Sequence, residues 1–151
     1  MKWRFVEPQD YEWAIAASKE HHKESDWSEV EYNDVKAKRY FDVATTDPNY
    51  FAILIEKGDK RIGFMAGRIM EYSYSYETFA KELELYVDPK HRNGMAGIFM
   101  MKKFMDWAKM RGVREVLFEP RLSDVAIKKF DAMAKRLGME HFANAYRRKF
   151  V

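Results

Sequence analysis

Cysteine is absent from the 151 residues, which removes disulfides, thiolate metal sites and a cysteine nucleophile together and agrees with a reducing compartment. Long apolar runs are missing too. The longest, Met95 to Met101 with Gly97 inside it, is far too short to span a bilayer, so no membrane partner is expected. The first residues carry no signal-peptide pattern, because Trp3-Arg4-Phe5-Val6 leads straight into Glu7-Pro8-Gln9-Asp10, and the expectation is a cytoplasmic protein. Charge of one sign is lacking as well. The 27 basic and 24 acidic residues leave a net +3 and are mixed along the chain, a solvated surface instead of the basic stripe that nucleic acid needs. Repeats and low-complexity segments are also missing.

What is present is apolar and aromatic. Hydrophobic residues make up 47% and aromatics 16%, which argues against disorder, and residues 1–151 are enough for one domain with its own core. Lys2 to Val6 reads as a strand, Tyr11 to about Lys19 as a helix with one apolar side, and Glu29 to Ala44 as a second helix with Val30, Val35, Tyr40 and Phe41 inward. His21 and His22 are adjacent, point about 100° apart and cannot chelate one metal as an i, i+4 pair could, so they read as solvated; no metal is expected.

Tyr50 to Glu56 and Arg61 to Tyr72 read as a hairpin closed by Lys57-Gly58-Asp59-Lys60. Tyr72, Tyr74 and Tyr76 alternate with serines and would share one strand face, either at an acceptor site, at a dimer contact or in cross-strand packing. Phe79 to Val87 is the next strand. In the helix that follows, Ile98, Met101, Phe104, Met105, Trp107 and Ala108 cover about half the circumference, as in a helix laid on a sheet. Phe99 and Met110 fall on its polar arc and are expected to meet a further element or the second subunit of a homodimer. Arg114 to Glu119 reads as a strand, Asp124 to Leu137 as a helix capped by Gly138, and His141 to Phe150 as a last strand or hairpin.

The stretch between strand and helix carries the chemistry. After Leu83-Glu84-Leu85-Tyr86-Val87 and Pro89, residues Arg92, Asn93, Gly94, Met95, Ala96 and Gly97 leave an uncrowded backbone whose first amides have no intrahelical partners. With the positive end of the helix dipole, such a turn suits a phosphate or pyrophosphate. Glycine relieving crowding in a plain turn is the alternative for the glycine pair alone.

The whole segment resembles motif A of the GNAT superfamily of acetyl-CoA-dependent N-acetyltransferases. That pattern is a strand ending near Val-x-Pro, then Arg/Gln-x-x-Gly-x-Gly/Ala opening the central helix. Val87, Pro89, Arg92 and Gly97 fall in place with Met95 at the middle glycine; the frame His91-x-x-Gly94-x-Ala96 restores the small residues and gives up the arginine. Ile62-Gly63-Phe64, Leu137-Gly138-Met139 and the ending Tyr146-Arg147-Arg148-Lys149-Phe150 also look like family features, and the brevity is similar to phage-encoded members. The element order β-α-α-β-β-β-α-β-α-β is the family order. The resemblance implies an α/β (α+β) domain: a mixed, mostly antiparallel central sheet with helices on both faces.

It further implies acetyl-CoA as co-substrate and an amine of a small molecule or protein as acceptor, joined by direct attack in a ternary complex. Main-chain groups of Leu85, Tyr86 and Val87 would bind the pantetheine arm where the fourth and fifth strands splay, and Arg92 to Gly97 would hold the pyrophosphate. An alkyl amine with a pKa near 10.4 needs a carboxylate base at neutral pH. Glu82 and Glu84 share one face of a regular strand, and the register leaves both open. The thiolate's proton donor is equally open: the family often has a tyrosine where this chain has Ala134, and Tyr146, Tyr86 or water are the substitutes. A catalytically weak or inactive GNAT-fold protein that binds coenzyme A or a partner is the alternative that Met95 and Ala134 motivate.

Overall fold

The computed structural model describes residues 1–120, 124–143 and 145–150, with the side chains of residues 124 and 125 outside that description. In chain order the elements are β1 (Lys2–Phe5), α1 (Tyr11–Glu24), α2 (Asp34–Ala44), β2 (Tyr50–Lys57), β3 (Lys60–Glu71), β4 (Thr78–Val87), α3 (Ala96–Met110), β5 (Val116–Leu117) and α4 (Asp124–Arg136). The strands form one sheet in the order β1-β2-β3-β4-β5, antiparallel except for the parallel β4–β5 pair.

Period-2 alternation in the central strands separates two apolar layers. Ala52 and Leu54 of β2, with Phe64 and Ala66 of β3, meet Ala14 and Ala17 of α1 and Phe41 of α2. On the opposite face Phe51, Ile53, Ile55 and Met65 pack against Met100, Phe104 and Ala108 of α3. The expected helix-on-sheet stripe of α3 is therefore real, and its contact is close. A Cβ built on Gly67 would lie 2.5 Å from the Phe104 ring, so a side chain there would push helix and sheet apart. Phe99 joins this layer with the Lys103 ammonium over its ring, whereas Met110 stays 81% exposed.

Asp10 is fully buried where β1, β3 and the first helical turn meet. Arg4 grips it through both oxygens at 2.5 and 2.9 Å, Arg61 adds bonds of 3.0 and 2.8 Å, and the Glu7 amide donates at 2.9 Å. Burial alone would raise this carboxyl; the Arg4 hydrogen bonds, the Glu7 amide and Arg61 overcome it and hold the group at about 2. The sequence reading had Asp10 only as a helix-start residue.

Several boundaries differ from expectation for local reasons. α1 continues to Glu24, beyond Lys19. α2 begins at Asp34, not near Glu29, because the Asn33 side chain accepts the Lys36 amide at 2.9 Å and caps the helix there. Val30 and Val35, expected inward, are consequently 60% and 66% exposed. β3 stops at Glu71, and Tyr72 to Glu77 is a loop closed by the Tyr72 amide on the Glu77 carbonyl at 3.1 Å. The three tyrosines share no strand face: Tyr74 and Tyr76 are fully exposed, and Tyr72 alone is anchored, on Phe79 and by its hydroxyl to Glu115. The closing strand expected over His141 to Phe150 does not form in the described residues 141–143 and 145–150. That segment is held instead by Arg147 on the Asp26 carbonyl and Lys149 on Glu29.

Candidate active site

β4 carries the site because it loses its outer neighbour halfway along. β5 pairs with it only at Ala80↔Val116 and Lys81↔Leu117, and from Glu82 to Val87 the outer edge of β4 has no strand beside it. On the inner edge the ladder to β3 slips at the same level. Glu82 lies opposite Gly67 and Glu84 opposite Ala66, so Leu83 is an extra residue, a β-bulge. The expectation that Glu82 and Glu84 share one face of a regular strand is corrected by this bulge, since an inserted residue breaks the two-residue alternation between them.

A cavity of about 190 Å³ occupies the gap. It is walled by β4 from Glu82 to Leu85, by Ser18 and His21 of α1, by Trp27 and Tyr32 of the loop after α1, and by Pro120 and Phe130 on the far side. Both glutamates therefore reach one cavity despite the bulge. Glu84 accepts a hydrogen bond of 2.9 Å from the hydroxyl of the buried Ser18. Burial pushes the Glu84 carboxyl up to about 8 against that hydrogen bond, and the Glu82 charge adds to the rise. This carboxyl is thus poised near neutrality.

Ser18 and His21 were missed, and the two histidines were read as solvated. The His21 ring packs edge-on against Tyr86 at 6.3 Å, and burial lowers its pKa, with Arg92 acting in the same direction and Glu24 against it. The signal was available: Ser18, His21, His22 and Ser25 stand at i, i+3, i+4 and i+7, continuing the buried side of α1 in polar residues. His22 faces the same cavity and its Nε2 bonds the Val30 carbonyl at 2.6 Å.

At the end of β4 the chain makes one tight turn at Pro89–His91 and enters α3 at Ala96. The amides of Ala96, Gly97 and Ile98 precede the first helical bond, Phe99 to the Met95 carbonyl at 2.9 Å, and so lie at the open positive end of a 15-residue helix. Met95 is at the N-cap position and 59% exposed, so its thioether projects outward. Asn93 and Gly94 are exposed in the preceding turn, and Ala96 is buried. Gly97 has a negative φ; its missing side chain leaves a space in which a Cβ would be 3.5 Å from the Met133 sulfur and 4.0 Å from Val87. The glycine keeps a gap open between the ends of β4 and α4.

Arg92 is engaged in this structure. Its Nε donates to the Val87 carbonyl at 2.8 Å, one Nη donates to Glu24 at 2.7 Å, and the guanidinium lies over the Tyr86 ring. Leu85 borders the cavity, and Tyr86 is buried against Phe64, its hydroxyl raised in pKa chiefly by burial. Tyr146 is 98% exposed on the C-terminal segment and is not among the residues that line the cavity, so the structure does not bring it to the glutamates. Among the described residues no group of three His, Cys, Asp or Glu side chains could hold a metal. No described helix is long and apolar enough to cross a membrane.

Solved structures with the same architecture are numerous. Glucosamine-6-phosphate N-acetyltransferase from Arabidopsis thaliana superposes with a TM-score of 0.74 at 16% identity, over 99% of this chain and 98% of that one. The aminoglycoside antibiotic 6'-N-acetyltransferase from Acinetobacter haemolyticus gives 0.75 at 16% identity, over 100% and 99%. A predicted acetyltransferase from Clostridium acetobutylicum, solved with acetyl-CoA, gives 0.77 at 15% identity, over 98% and 95%. At these identities the likeness speaks for the fold. No curated protein matches the sequence. The sequence itself matches the acetyltransferase (GNAT) family over residues 8–131, which takes in α1, the bulged β4, the bare turn into α3 and most of α4, and the chain belongs to that family.

Proposed function

We propose that the protein transfers an acetyl group from acetyl-CoA to a primary amine by direct attack, with Glu84 as the base. The observation that carries this reading is the coincidence, on one strand, of an unpaired edge from Glu82 to Val87, an open helix N-terminus just beyond it, and a buried carboxyl facing the resulting cavity.

Acetyl-CoA supplies the activated thioester. The main chain of Leu85, Tyr86 and Val87 offers unpaired strand groups to its extended amide-bearing arm, as in strand addition. The turn Arg92 to Gly97 offers bare amides to the diphosphate, and Gly97 leaves room for it. Arg92 is recruited at little cost, since its exposed pair with Glu24 contributes at most about 1 kcal/mol.

The amine nitrogen bonds to the carbonyl carbon as the carbon–sulfur bond breaks. From an ammonium, two protons leave nitrogen; one ends on the departing sulfur and one reaches solvent through Glu84. The elevated Glu84 pKa decides whether this is feasible. Taking a proton from an amine of pKa about 10.4 is uphill by about 8 kcal/mol for an ordinary carboxylate, but by about 3 kcal/mol for one at about 8. Glu82 lies in the same cavity, where its charge favours an entering ammonium. The test is thiol release from acetyl-CoA with a panel of primary amines. Release that needs the amine and falls sharply in Glu84→Gln supports the reading, and release unchanged in that variant rejects Glu84 as the base.

A further inference from the structure

The same cavity narrows the acceptor, and this step rests on the acyl-transfer reading above. Its walls come from three places in the chain with two kinds of chemistry. Glu82 and Glu84 project from β4, while Trp27 and Tyr32 from the loop after α1 and Phe130 from α4 supply flat apolar surface. Trp27 is 49% exposed, which puts it at the rim, and Tyr32 is half-buried, its hydroxyl bonded to the Ile15 carbonyl at 3.4 Å, so its ring has a fixed seat. Among the described residues that line the cavity there is no lysine or arginine. The volume, about 190 Å³, matches one small molecule and not an oligosaccharide.

We propose that the acceptor is a small arylalkylamine: a primary ammonium drawn to the Glu82 and Glu84 end, on a short chain whose aromatic ring lies among Trp27, Tyr32 and Phe130. Each half has its own reason. An ammonium beside aromatic faces and carboxylates gains from both, and the gain grows as water is excluded. An aromatic body stacks on fixed rings at low entropic expense and leaves no hydroxyl unsatisfied in an apolar wall. A phosphorylated amino sugar would set its dianion near Glu82, and an aminoglycoside would bring more ammonium and hydroxyl groups than two carboxylates can satisfy.

The experiment compares 2-phenylethylamine and tryptamine with glucosamine 6-phosphate and kanamycin, by thiol release at saturating acetyl-CoA and, separately, by thermal shift of the intact protein with each amine. The proposal expects kcat/KM for the arylalkylamines at least about tenfold above the other two. It also expects Trp27→Ala to raise KM for 2-phenylethylamine several-fold with kcat nearly kept. Equal or better turnover of glucosamine 6-phosphate or kanamycin would overturn the acceptor assignment and leave acyl transfer standing. If no amine is turned over, acyl transfer by this protein fails, and the acceptor assignment is decided by the thermal shift. A shift given by the arylalkylamines and reduced in Trp27→Ala upholds the cavity's preference, and its absence overturns it.

Discussion

Glu84 is the residue on which both chemistry and stability turn. Its carboxyl sits at about 8 instead of the ordinary 4.5, so between these values the folded protein holds a proton that the unfolded chain has released. Stability therefore falls as pH rises through that window. Glu84→Gln mimics the protonated form, and melting curves should show its loss of stability with rising pH to be shallower than in the wild type. Activity runs the other way, because the base must be ionised: kcat/KM should climb towards a plateau above about pH 8, and Glu84→Gln should lower kcat/KM by roughly 10²–10⁴. Ser18→Ala removes a hydrogen bond that favours the carboxylate, so the rising limb should move to higher pH, and Ser18→Thr should bring it back.

Asp10 shows the opposite environment. Held at about 2 by two arginines, it contributes stability that is complete above its ordinary 3.8 and is lost as pH falls through the lower value. Asp10→Asn leaves Arg4 and Arg61 without their shared counter-ion and should cost about 3 kcal/mol in denaturant unfolding, with activity of the folded fraction kept. At this scale sequence and structure part company for a physical reason. Glu82 and Glu84 were visible as paired carboxylates, but a bulge adds a residue without changing composition, so the alternation that placed both on one face could not reveal it.

At the scale of elements, the turn into α3 is the most legible feature, because its signals are local: a proline ends the strand and small residues open the helix. Gly97 tests it. A Cβ there meets only Met133 and Val87 at ordinary contact distances, so Gly97→Ala should fold with nearly unchanged stability. An indole at the same position would fill the gap between β4 and α4, and Gly97→Trp should abolish acetyl-CoA binding while circular dichroism stays native. The ends of α1 and α2 were less legible. Asn33 starts α2 through a side-chain cap, and the last turns of α1 are polar because they line a cavity, which is what a solvated end looks like in sequence. The closing strand was expected from resemblance and not from a ladder partner, and in the described residues Arg147 and Lys149 reach the loop after α1 instead.

For the whole molecule, the order of elements and the two-sided sheet were legible because buried central strands read as apolar runs and α3 as a half-cylinder. The parting of β4 and β5 was not, since it depends on how far two distant segments stay paired, and only two register pairs hold them. That opening is what turns a common fold into a site. Thermal denaturation of the intact protein with and without acetyl-CoA, with Gly97→Trp in parallel, tests it most directly. At 100 times its Kd a bound ligand stabilises by about 2.7 kcal/mol, or roughly 5–10 °C for a chain of this size. A shift of that order in the wild type and none in the variant is expected. No shift in the wild type, or the same shift in both, would contradict the account.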